Sequence, residues 1–72
     1  MNLRSHVAVN IRRLRLSAGL SQEALADAAG LDRTYVSALE RSRYAVTVDV
    51  LERLALALNV NAIELLEPTS KS

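Results

Sequence analysis

The stretch that decides the fold is Ser21-Gln22-Glu23-Ala24-Leu25-Ala26-Asp27-Ala28-Ala29-Gly30-Leu31-Asp32-Arg33-Thr34-Tyr35-Val36-Ser37-Ala38-Leu39-Glu40. Ser21 suits an N-cap, because its hydroxyl can accept one of the unpaired N–H groups that open a helix. Glu23 then sits near the positive end of that helix dipole. Leu25, Ala28 and Ala29 make an inner stripe at helical spacing, and Gly30 stops the run. Asp32 caps a following helix, expected from Arg33 to about Arg41.

Only Gly30-Leu31-Asp32 separates these two helices, and a pair joined by so short a Gly-containing turn carries the signature of a helix-turn-helix. The second helix has the matching amphipathicity. At about 100° per residue, Arg33, Ser37, Arg41, Thr34 and Ala38 fall within one arc of roughly 140°, while Val36 and Leu39 fall on the other side. A helix that lies in a major groove needs such an outward face, short enough to approach base edges and carrying donors that read them.

Outward from this core, Val7, Ile11, Leu14 and Ala18 predict a helix from Leu3 to Ala18, ended by Gly19. Thr47 caps a helix from Val48 to Leu58, with Leu51, Leu54, Ala55 and Leu58 inward. Asn61 with Glu64 forms a capping box for a last helix, Ala62 to Glu67, closed by Pro68. The fold class is therefore all-α with five helices: residues 1–68 read as one domain and 69–72 as a disordered tail. A chain of 72 residues supports no second domain, and two Gly, one Pro and two Tyr are too few turn and aromatic residues for a β-sandwich or barrel.

The same composition limits function. The longest purely apolar run, Leu54 to Leu58, is far short of the roughly 20 residues that span a bilayer, and the N-terminus has no signal-peptide core. The absence of cysteine removes disulfide and zinc–thiolate staples and fits a reducing compartment, so a soluble, cytoplasmic protein is expected. His6 is the only histidine and is expected on the exposed side of the first helix; no triad, metal cluster or Gly-rich phosphate loop can be assembled. No enzyme activity, cofactor, metal, membrane or small-molecule ligand is expected. The net charge of +1 hides an asymmetry. Residues 1–18 carry Arg4, Arg12, Arg13 and Arg15 with no acid, and Arg41 and Arg43 follow the third helix. If the fold gathers segments 4–15 and 33–43 on one side, that side is basic.

Arg15 through Ala26, Gly30-Leu31, Val36-Ser37-Ala38-Leu39-Glu40, and Leu51, Leu54, Ala55, Ala57 and Leu58 together resemble the phage-repressor-type (Cro/C1, XRE) helix-turn-helix family over about Ile11 to Leu66. Within it, Leu31-Asp32-Arg33-Thr34-Tyr35-Val36-Ser37 is most similar to restriction–modification controller proteins. The resemblance implies a lambda-repressor-like domain, a homodimer on a double-stranded DNA operator, and regulation of its own operon. It implies that Gln22 meets a phosphate or a base edge, that Arg33, Thr34, Ser37 and Ala38 face bases, and that Tyr35 lies near the backbone. Arg33 suits bidentate contact with guanine. The resemblance also places Arg43, Ser42 and the loop around them at phosphates, and makes Arg15 and Glu40 an internal salt bridge. Arg12 and Arg13 are either a solvated face or a phosphate-steering one; Tyr35 either packs at the core edge or touches the sugar–phosphate chain. Two positions depart from the family: Ser42 where Gly is common, and Tyr44-Ala45-Val46 where controllers often carry Asn. Tyr44 replaces that contact through its hydroxyl or simply packs.

Apolar residues exceed what one thin core absorbs. Leu56, Val60, Ile63, Leu65 and Leu66 are expected at a two-fold dimer interface through the last helix and the end of the fourth. An alternative from another class is an antitoxin-type interaction module whose apolar C-terminal surface holds a partner protein.

Overall fold

The computed structural model describes residues 2–68. These form five helices: α1 Leu3–Ser17, α2 Gln22–Ala29, α3 Arg33–Glu40, α4 Val48–Leu58 and α5 Ala62–Leu66. No strand occurs among the described residues. The expected tail at 69–72 lies outside them.

Each helix starts on a side-chain oxygen that accepts a backbone N–H. Asn2 accepts from Ser5 at 2.9 Å, Ser21 from Ala24 at 3.0 Å, Asp32 from Thr34 at 3.0 Å and Thr47 from Val50 at 3.1 Å. Asn61 accepts from Ile63, and the Glu64 carboxylate accepts the Asn61 N–H at 3.0 Å, which completes the capping box. The Asn2 cap is additional to those expected from the sequence.

The stops share one geometry. At the end of α1 the Leu20 N–H donates to the Arg15 carbonyl and the Gly19 N–H to that of Leu16, with Gly19 at φ +73°. The same pair of bonds closes α2 around Gly30, α3 around Ser42 and α4 around Asn59, all at positive φ. Ala18 and Arg41 are therefore caps and not the last helical residues. Glu67 is extended, at ψ 144°, because the following Pro68 disfavours helical backbone at that position.

Ile11, Leu25, Val36, Leu54 and Leu65 are completely enclosed, and Val7, Leu39, Leu51 and Leu58 complete the core around them. α2 packs on α3 within the helix-turn-helix, α1 braces α3 and α5, and α4 closes against α2 and α5. Asn10 lies in the middle of this apolar packing. Its amide donates to the Leu65 carbonyl at 3.0 Å and the Glu67 carbonyl at 2.9 Å, and its oxygen accepts from Arg13 at 3.3 Å. This clamp satisfies carbonyls at the end of α5 that otherwise lack helical partners and ties them to α1.

Ser42 adopts φ +60°, where a Cβ costs roughly 1–2 kcal/mol relative to ordinary helical backbone. Ser42→Gly relieves that strain against a larger unfolded-state entropy. The expected net gain is about 1 kcal/mol, or about 4–8 °C in Tm for a domain this small. Thermal unfolding followed by circular dichroism checks it, and an unchanged or lowered Tm would contradict the strain.

Candidate nucleic-acid interface

The placement of α3 is set by a polar knot. Arg15, from the last turn of α1, donates through Nε to Glu40 Oε2 at 2.7 Å and through Nη2 to Glu40 Oε1 at 3.1 Å. Its Nη1 donates to the Leu20 carbonyl at 2.9 Å. Gln22, the first residue of α2, donates from Nε2 to Glu40 Oε1 at 3.1 Å. An ionised carboxylate only accepts, so Glu40 requires the nitrogen of the Gln22 amide on its side. The Glu40 hydrogen bond pushes Arg15 above its already high ordinary value, outweighing the opposing effect of burial. No buried side-chain nitrogen or oxygen lacks a partner among the described residues.

Held in this way, α3 turns Val36 and Leu39 into the core and leaves Arg33 and Thr34 exposed, with Ser37 half-buried beside them. Arg33, Thr34 and Ser37 thus share one face, bounded at the N-terminus by the Asp32 cap. The Thr34 backbone N–H holds the Asp32 carboxyl below its ordinary value. The contribution of that bond is therefore present at neutral pH and is lost as the pH falls through the lowered pKa. Ala38 differs from expectation. It is 7% exposed, because its short methyl lies beneath its neighbours and not at the crest of the face.

Tyr35 is half-buried, and its ring meets that of Tyr44 with centroids 6.1 Å apart at 37°. Both tyrosines are engaged by packing, and Tyr44 still keeps 57% of its surface exposed. Arg43 is exposed and Ser42 half-buried in the loop that follows. Arg12 and Arg13 rim a shallow depression on α1 that Glu40 also borders, so the basic stretch of α1 does reach the end of α3. Gln22 is half-buried with its amide committed to Glu40, a bond that sequence reading missed.

The residues expected at a dimer surface do not act as one set. Leu56 and Ile63 are 82% and 65% exposed. Val60 and Leu66 are half-buried against the protomer's own core. Leu65 is removed from the interface: it has no exposed surface and is a central core residue. His6, expected to be exposed, is half-buried. Among the described residues no helix is long and apolar enough to cross a membrane, and no group of three potential ligands could hold a metal ion.

Residues 11–65 match the helix-turn-helix family HTH_3. The chain is 49% identical over 67 residues to the Neisseria hypothetical transcription factor of Neisseria meningitidis serogroup B, covering 93% of this chain and 63% of that one. The solved structure of a Neisseria protein of that description superposes with a TM-score of 0.92 at 47% identity, covering 97% of this chain and 80% of that one. The control protein C.SmaI of Serratia marcescens is 42% identical, over 92% of this chain and 79% of its own. The structure of the restriction–modification controller protein C.AhdI of Aeromonas hydrophila superposes with a TM-score of 0.84 at 40% identity, covering 86% and 94% respectively. Fold and face together define a helix-turn-helix protein. The chain belongs to the XRE-type helix-turn-helix family of DNA-binding transcriptional regulators, whose members include restriction–modification controllers.

Removing one partner of the buried pair leaves an uncompensated charge. Glu40→Ala is therefore expected to lower the unfolding free energy by about 3–5 kcal/mol. Replacing both partners, Arg15→Met with Glu40→Leu, is expected to recover most of that loss. Urea denaturation of the three proteins checks both, and a Glu40→Ala protein as stable as the parent would show the knot to be dispensable.

Proposed function

We propose that the chain is a sequence-specific transcriptional regulator that binds, as a homodimer, a near-palindromic operator in double-stranded DNA, and that it controls a restriction–modification operon containing its own gene. One observation carries the reading: Arg33, Thr34 and Ser37 lie together on the outer face of a helix whose other face is locked into the core. In this reading they contact base edges in the major groove. Gln22, at the N-terminus of α2, contacts the backbone with Arg43 and Ser42, and Arg12 adds attraction from the side. Tyr35 lies at the groove wall. The controller relatives support the choice of operon.

The dimer is proposed through Leu56 and Ile63, the exposed aliphatic side chains at the end of α4 and on α5, with Val60 at the edge. Two recognition helices about 34 Å apart, one duplex turn, would each lie about 17 Å from the two-fold axis. A body 29 Å in its longest extent reaches that distance. The same exposed aliphatics also favour a second reading, in which they hold a different protein as antitoxins do.

Binding to a duplex selected from a random pool, at stated salt, tests the reading. Arg33→Ala is expected to cost about 1–3 kcal/mol on the selected site and to relax preference at one base pair. Arg43→Ala is expected to weaken selected and random duplexes alike and to flatten the salt dependence by about one unit of slope. An Arg33→Ala protein that discriminates as the parent does would remove Arg33 from the reading face.

Sedimentation addresses the assembly. A parent dimer converted to monomer by Ile63→Glu, with the fold retained, is the expected outcome. A parent that is monomeric at all concentrations would favour the partner-binding reading.

A further inference from the structure

We infer that Asn10 is a positioning residue for operator binding: by clamping α5 to α1 it fixes the separation of half-sites that a dimer accepts. This rests on the homodimer and operator reading above and deepens it. Among the described residues two polar side chains are buried, Asn10 and Arg15, and both belong to α1. They lie five positions apart, about 140° around the helix and about 7.5 Å along it, at 100° and 1.5 Å per residue. Arg15 holds α3 through Glu40, while Asn10 holds the end of α5 through the Leu65 and Glu67 carbonyls. Helix α1 is thus a strut between the element proposed to dimerise and the helix proposed to read bases.

Core filling does not account for Asn10. It sits among the buried Val7, Ala8 and Ile11, where an aliphatic side chain of similar volume would be enclosed without desolvating an amide. What an aliphatic side chain lacks is direction. One amide nitrogen reaches two carbonyls two residues apart, at 3.0 and 2.9 Å, so sliding or turning α5 about its axis spoils the geometry of both bonds. The amide cannot be reversed. Carbonyls only accept, so its nitrogen must face α5, and its oxygen is left to accept from Arg13 at 3.3 Å. With five residues, α5 is too short to hold a fixed attitude alone. Leu65 anchors it in the core, but through apolar contact that carries no such direction. A buried polar group that sets register at some expense of stability is a known device in helical assemblies, and Asn10 has the placement for it.

Small movements matter here because the lever is long. Ile63, proposed at the dimer contact, lies on the same short helix, two residues before the first clamped carbonyl. With each recognition helix about 17 Å from the two-fold axis, tilting each protomer by about 6° moves its α3 by about 1.7 Å. Two such movements change the half-site separation by about 3.4 Å, one base pair. An α5 freed from its clamp therefore needs little latitude to blur the spacing, while the bases read within each half-site stay the same.

The test uses the full chain and duplexes carrying two copies of the selected half-site, their separation varied one base pair at a time. The parent is expected to prefer one separation about tenfold over those one base pair shorter or longer. Asn10→Leu is expected to remain dimeric by sedimentation and to keep the parent's base preference within each half-site, while its affinities across the three separations fall within about threefold of one another. Arg13→Ala, an exposed change that frees the amide oxygen, is expected to lie between the two. Ile11→Val, a core truncation on the same helix, is expected to keep the parent's spacing profile although it lowers stability. A folded, dimeric Asn10→Leu with the parent's profile overturns the inference and leaves the operator reading standing, and so does an Ile11→Val protein that broadens equally. If Asn10→Leu fails to fold or to dimerise, Arg13→Ala decides: a broadened profile supports the clamp and an unchanged one overturns it. A parent that tolerates all separations alike also overturns it, and a parent that is monomeric or selects no duplex removes both readings together.

Discussion

The buried contact between Arg15 and Glu40 is the constraint on which the rest of this small structure depends. Taking two charges out of water costs several kcal/mol per ion, and the attraction between them offsets this only when the remaining donors and acceptors are also satisfied. Here the guanidinium forms a two-pronged contact with the carboxylate and caps the Leu20 carbonyl, while Gln22 adds a further donor to Glu40. The end of α1, the turn after it, the start of α2 and the end of α3 all meet at this point. An apolar pair of the same volume could fill the space, but it would carry no directional requirement to fix how far α3 is rotated. The outward arc of Arg33, Thr34 and Ser37 is set by that rotation, so the polar knot matters to the site more than to the size of the core.

What the sequence discloses and what it conceals follow from the range of each interaction. Caps at Ser21, Asp32, Thr47 and Asn61, and stops at Gly19 and Gly30, involve residues a few positions apart, and their chemistry is readable locally. The stops at Ser42 and Asn59 use the same geometry without glycine and so carry a fainter signal. Asn10 shows the opposite case. An amide among Val7, Ala8 and Ile11 looks like a flaw in an apolar face until the end of α5, 55 residues away, supplies the carbonyls it holds. Leu65 was misplaced because a five-residue helix has too little length to show a stripe, so periodicity cannot separate Leu65, which is buried, from Ile63, which is exposed. The salt bridge itself came from family resemblance, since nothing in the spacing of Arg15 and Glu40 requires them to meet. The candidate site was legible in the same uneven way. The wheel placed Arg33, Thr34 and Ser37 together, but the depth of Ala38 and the ring contact across the loop depend on tertiary packing.

Charge is organised locally and not globally. A net charge of +1 gives almost no long-range attraction to a polyanion. Exposed charges more than about 8 Å apart are largely screened at physiological salt, so only clusters count. Arg41 and Arg43 lie at the C-terminal end of α3, which Arg12 and Arg13 approach from α1, while Arg33 stands at the start of α3, about 12 Å away along its axis at 1.5 Å per residue. Such a protein gains attraction only when its basic side already faces the duplex, which favours oriented binding over indiscriminate coating.

The proposed dimer imposes a further condition on how such a regulator would respond. Leu56 and Ile63 are the strongly exposed aliphatics at the α4–α5 end, and a two-fold interface brings together four such side chains. At about 1.5–3 kcal/mol for each fully buried aliphatic, their combined contribution is about 6–12 kcal/mol. Association costs about 4–15 kcal/mol in lost translational and rotational freedom. So small an apolar patch leaves no large surplus over that cost, and dimerisation would depend on protein concentration. Operator occupancy would then rise with a power of protein concentration greater than one. A regulator of this size, with control exerted through its own abundance, would obtain a sharp response from the weakness of its own interface.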